Sequence, residues 1–171
     1  MRRIKTLAVL GGILLVVFVA VLGWNGDREN WPVEFQTNGE RIYFTGISSS
    51  GFRIGANGGG MHMQMHDSGC ATCHGADRQG RRLMPKFWKA APSLTPSALF
   101  GEHSETSEEN GHGGHEGYND DTLRQAITEG IDPDGNPLDQ AMPRWSMDAR
   151  DMADLTEFLK SPVRNDTSPG P

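Results

Sequence analysis

Residues 70–74 read Cys70-Ala71-Thr72-Cys73-His74, and they hold the only two cysteines of the 171-residue chain. Two thiols separated by two residues and followed at once by a histidine have the spacing of c-type haem attachment. Both sulfurs add to the vinyl groups of a haem, and the adjacent imidazole is set beneath the iron. A zinc site would need a second ligand pair, which no further cysteine supplies. A redox dithiol normally opens a helix in a βαβ setting, and no such pattern surrounds this motif. The spacing therefore predicts one covalently attached haem c. Cys70 and Cys73 are the expected thioether donors and His74 the expected proximal ligand.

Iron then needs a sixth ligand or an open position. Of the eight methionines, Met142 has the most telling placement. It lies in Ala141-Met142-Pro143-Arg144-Trp145, after a Gly/Pro turn and before the last predicted helix. A methionine on a proline-stiffened loop can reach the distal face without giving up helix hydrogen bonds. Its soft thioether suits iron that cycles between two oxidation states. Packing in the core is the plainer role for such a residue. Met61, Met63, Met65 and Met84 are rivals, the first three too close before Cys70 to reach the distal side easily.

Cap and turn chemistry places the late helices. Asn119 can cap a helix running through Glu129 that buries Leu123, Ala126 and Ile127, with Gly130 at its end. Asp132-Pro133-Asp134-Gly135 makes a turn. Asp148 caps the last helix, with Asp151 in its first turn and Met152, Leu155, Phe158 and Leu159 as its apolar stripe. An earlier short helix near residues 39–45 presents Ile42, Tyr43 and Phe44. No segment alternates as a strand, so the domain reads as all-α.

The N-terminus sets the compartment. Arg2, Arg3 and Lys5 precede an uncharged apolar run over residues 6–24. As a helix that run would span ~28 Å, close to the hydrocarbon thickness of a bilayer. It ends Val21-Leu22-Gly23-Trp24, without the small-x-small pattern of a cleaved signal peptide, and Trp24 suits the interface. An uncleaved anchor is favoured over a signal segment. Either places the rest of the chain outside, because basic residues stay on the cytoplasmic side. The expected organisation is a basic end (1–5), an anchor (6–24), a stalk (25–37), a haem domain (38–160) and a frayed tail (161–171). A Gly/Glu/His-rich loop at 101–117 lies within the haem domain.

Charge bears on partners. Removing residues 1–24 takes away three of the 16 basic residues and none of the 22 acidic ones. The exported part is thus more acidic than the whole chain at −6, which argues against nucleic acid. Arg78, Arg81, Arg82, Lys86 and Lys89 nevertheless follow the haem motif with no acid among them. Such a ring can steer a redox partner with an acidic face, or it can be ordinary solvated surface. Met61, His62, Met63, Met65 and His66 can hold copper, but a methionine-rich wall beside the porphyrin is the preferred reading. His103, His112 and His115 sit in the solvated loop, where weak zinc binding is the lesser alternative.

Gly39 with Tyr43, the motif with Gly75, Pro92-Ser93-Leu94, Met142-Pro143, and Asp154-Leu155 with Phe158-Leu159 together resemble a class I mono-haem cytochrome c domain over roughly residues 38–160. The resemblance implies three main helices around one haem, the first and last crossing at Gly39 and Phe158. It also implies that the Pro92 carbonyl accepts the Nδ1 proton of His74 and fixes its tautomer. The gap from His74 to Met142 is long for this pattern, enlarged by the His-rich loop. An electron carrier on the periplasmic side of the inner membrane is the expected function, either a shuttle between respiratory partners or a subunit of their complex. A haem enzyme or gas sensor would need an open distal position. A metal-delivery module would need copper binding at residues 61–66. Both are less well supported.

Overall fold

The computed structural model describes residues 31–32, 34–59, 69–83, 89–101 and 117–163. The anchor (6–24), most of the stalk, the Met/His stretch (61–66), Met84, Lys86 and the His-rich loop's His103, His112 and His115 lie outside the described residues. So does the tail from residue 164. The chain forms two compact units, Met1–Val33 and Glu34–Pro171. Of the first, only Trp31 and Pro32 are described. Among the described residues no helix is long and apolar enough to cross a membrane.

The second unit holds five helices among its described residues: α1 (Asn38–Thr45), α2 (Ala71–His74), α3 (Pro96–Phe100), α4 (Asp120–Thr128) and α5 (Ala149–Lys160). Cap chemistry accounts for their starts. The Thr37 side chain accepts from the Glu40 amide, Thr95 from Ala98, and Asp148 from Asp151. Asn119 and Thr122 form a reciprocal capping box at the start of α4. Each long helix turns its apolar stripe inward, burying Ile42, Tyr43 and Phe44 on α1, Leu123, Ala126 and Ile127 on α4, and Met152, Leu155 and Leu159 on α5. Burying a side chain of this size stabilises the fold by roughly 1.5–3 kcal/mol.

The core is centred where α1 crosses α5. A Cβ at Gly39 would run into the Asp154 carbonyl and lie 2.9 Å from Phe158 Cβ, so only glycine lets the helices touch there. The Tyr43 ring packs on Phe158 with centroids 5.3 Å apart. Asn38 Nδ2 donates to Asp151 Oδ1 at 2.8 Å and to Asp154 Oδ2 at 2.7 Å. The Ser48 hydroxyl completes this buried tie by donating to Asp151 Oδ1 at 2.7 Å.

The reading of the domain as free of strands needs correction. Among the described residues two antiparallel ribbons are present: β1 (Gly55–Asn57) pairs with β4 (Arg144–Ser146), and β2 (Arg81–Arg82) pairs with β3 (Ala90–Ala91). At two or three residues each, they are too short to show a period of two in sequence. The β1–β4 ribbon sets Ala56 opposite Trp145, which is buried, and pins the chain just after Met142.

A second correction concerns the basic ring. Arg78 is only 2% exposed. Its guanidinium reaches the C-terminal end of α5, where Nη1 donates to the carbonyls of Phe158 at 2.9 Å and Leu159 at 3.1 Å. Nη2 donates to the Ser161 carbonyl at 2.7 Å. Lys89 is engaged as well, in a 2.7 Å ion pair with Asp139. Arg81 and Arg82 lie in β2, Arg81 half-buried and Arg82 exposed.

Candidate functional site

The motif forms a single helical turn, α2, in which the His74 amide donates to the Cys70 carbonyl at 2.9 Å. Helical spacing of three and four residues sets Cys70, Cys73 and His74 on one side of that turn. Tyr43 fixes the turn from α1, its hydroxyl donating to the Gly75 carbonyl at 2.7 Å. The Gly69 backbone lies against the carbonyls of Ile42 and Tyr43 at the other end. One residue of α1 thus brackets the motif on both sides.

Neither cysteine is in a disulfide, and both are half-buried. Burial pushes the Cys70 thiol up to about 12. It pushes Cys73 up as well, against the opposing influence of Arg81. A dithiol oxidoreductase works through a depressed thiol pKa, and burial shifts both of these the other way.

His74 is buried, and Pro92, directly after β3, meets it with Nδ1 and the Pro92 carbonyl oxygen 2.8 Å apart. A carbonyl can only accept, so Nδ1 carries the hydrogen and Nε2 is left with its lone pair free. Burial lowers the His74 pKa, and the bond to Pro92 opposes this only in part. The neutral imidazole, the form that binds metal, is therefore favoured.

Pro92 is itself held firmly. The Leu94 amide donates to the Arg78 carbonyl at 2.7 Å, and the Ser93 hydroxyl donates to the same oxygen at 3.1 Å. The Gly80 amide donates to the His74 carbonyl at 2.8 Å. Arg78 thus serves the site twice, through its main chain at the Pro92 segment and through its side chain at α5. Its basic character hid this role in the sequence. Only the left-handed backbone at φ +58° marks it as unusual.

Two nearby cysteines beside an imidazole whose Nδ1 is committed to Pro92, leaving Nε2 as the lone-pair nitrogen, are a donor set that fits haem c. A family model for cytochrome c matches residues 62–162. The chain belongs to the cytochrome c family. Membership implies covalently bound haem c and haem-based electron transfer. The match covers the motif, Pro92, Met142 and α5 but begins after α1. No curated protein and no solved structure matches the chain.

In this cytochrome c domain, Met142 lies half-buried at the end of a turn, its amide donating to the Asp139 carbonyl at 3.1 Å. The turn is tied to the proximal side through Asp139, whose partner Lys89 stands three residues before Pro92. Pro143, next in the chain, is buried. The segments carrying His74's partner and Met142 are thereby joined by one ion pair.

Proposed function

We propose that this cytochrome c domain carries single electrons through one haem held by thioethers to Cys70 and Cys73, with His74 and Met142 as the axial ligands. The observation that supports the reading most strongly is the 2.8 Å contact between His74 Nδ1 and the Pro92 carbonyl. It aims a neutral imidazole with Nε2 free, and it makes that nitrogen more basic toward a metal. Haem c, when bound, supplies a one-electron couple whose potential a thioether ligand raises. The chain's own residues then have limited tasks. Cys70 and Cys73 keep the cofactor from dissociating, His74 holds its orientation through Pro92, and Met142 denies the sixth position to water.

Covalency is the test. Both thiols are expected to be consumed, so haem stays with the polypeptide through acid-acetone extraction and a denaturing gel. Release of free haem from the intact protein, with both cysteines still titratable, would contradict the assignment.

Residues 6–24 complete the proposal as an uncleaved anchor that keeps the domain on the outer face of the cell membrane. The support is their length, about that of a bilayer's hydrocarbon core, and the absence of a small-x-small end. The intact mass of the mature chain is expected to include this segment; a mature N-terminus after Gly23 means that it is a signal peptide. Respiratory proteins with an acidic docking face are the proposed partners.

A further inference from the structure

The turn that presents Met142 is closed by a side chain that comes back to it. Arg144 donates from Nη1 to the Met142 carbonyl at 2.7 Å and from Nη2 to the Leu138 carbonyl at 3.0 Å. These two carbonyls stand at the two ends of the turn, so one planar guanidinium spans it with both forks in use. The backbone of Arg144 is fixed independently, since β4 pairs with β1 and sets Arg144 opposite Asn57. The side chain therefore pulls the Met142 turn toward a rigid ribbon.

The guanidinium also has a prepared seat. It lies against Gly130, where an added Cβ would overlap Arg144 Nε and Cζ. Gly130 has φ +74° and follows the C-terminal end of α4. Its amide donates to the Gln125 carbonyl at 3.0 Å, while its carbonyl accepts from the Leu138 amide at 2.8 Å. The end of α4, the Leu138 segment and the Met142 turn thus meet at one cation.

We propose that Arg144 is the positioning residue for Met142, holding its turn closed and setting how often the sixth iron position opens to outside ligands. The proposal rests on the reading of Met142 as axial ligand. An outside ligand competes only in the open fraction, so its apparent affinity rises in proportion to that fraction. A hydrogen bond to a charged group is strong enough that losing two of them raises the open fraction at least about tenfold.

The experiment titrates the oxidised full-length holoprotein with imidazole and follows the weak sulfur-to-iron band in the far red. Arg144→Gln is expected to keep that band without imidazole and to bind imidazole at least about tenfold more tightly than the wild type. Arg144→Lys restores part of the difference, because one ammonium cannot span both carbonyls. Gly130→Ala, which unseats the guanidinium, has a large effect in the wild type and a much smaller one in the Arg144→Gln background. A purely structural role for Arg144 would lower the melting temperature without this change in affinity or this coupling. Arg144→Gln with an imidazole affinity within twofold of the wild type overturns the proposal. If the wild type lacks the sulfur band and binds imidazole as tightly as Met142→Ala does, the assignment of Met142 falls, and the proposal with it.

Discussion

Replacing Met142 with alanine is expected to change the behaviour of the protein more than any other single substitution. The side chain removed is the proposed soft ligand, and nothing adjacent replaces it, since Pro143 is buried and Ala141 has no donor atom in its side chain. Water or an added ligand then takes the sixth position. The oxidised protein is expected to lose the far-red sulfur band and shift toward high spin. Its potential should fall by a sizeable part of the ~0.8 V range that axial ligands command, because a hard oxygen favours the ferric state. Stability should fall by roughly 2 kcal/mol as the turn over residues 139–142 loses its tether to the cofactor. An absorption spectrum, a redox titration and a melt measure these three effects. A variant that keeps the sulfur band shows that another methionine is the ligand, and Met61, Met63, Met65 and Met84 are then tested in turn.

The second large effect is expected at Arg78. Alanine there leaves the carbonyls of Phe158, Leu159 and Ser161 without the guanidinium that now serves all three. It also removes the cation stacked 4.9 Å above the Phe158 ring. The loss should reach roughly 3 kcal/mol, a fall of many degrees in Tm for a domain of this size. Glycine at the same position should recover about 1 kcal/mol of that loss, because φ +58° is strained for any residue with a Cβ. Lysine should fall between arginine and alanine, since one ammonium cannot reach three acceptors together. Because the Arg78 carbonyl also positions Ser93 and Leu94, the alanine variant is expected to loosen the Pro92 contact with His74. Denaturant melts of the four proteins give the ranking. An alanine variant within 1 kcal/mol of the wild type would show that α5 needs no such cap.

Arg78 also illustrates which parts of this molecule sequence can disclose. A cap acts across three residues, so Asn119 and Asp148 announce α4 and α5 locally, and both helices begin where those side chains predict. The motif is equally local, with its two thiols and imidazole inside five residues. Arg78 looks like one more surface cation because its partners stand 80 to 83 positions away. Strands β1 and β4 escape notice for the same reason: neither Gly55-Ala56-Asn57 nor Arg144-Trp145-Ser146 has the length to show alternation, and each exists because the other is near. The Pro92 contact was expected through the family resemblance alone. No property of Pro92-Ser93-Leu94 by itself points to His74. Arg144 sits beside the proposed ligand in sequence, but its backward reach to Leu138 depends on the space at Gly130.

The tie between Asn38 and the two aspartates of α5 has a consequence for how the chain reaches this structure. Those bonds close loops of 113 and 116 residues. Closing a loop that long costs about 4 kcal/mol in chain entropy before any contact repays it. Helix α1 is eight residues long, too short to persist alone in water. Its largest partner is α5, near the other end of the domain. The contact order is accordingly high, and folding should be slow for so helical a domain. A chain truncated before Asp148 loses the α5 face against which Gly39 and the Tyr43 ring pack, and is expected not to reach this structure. The domain is expected to gain much of its stability late in folding, when its two ends meet.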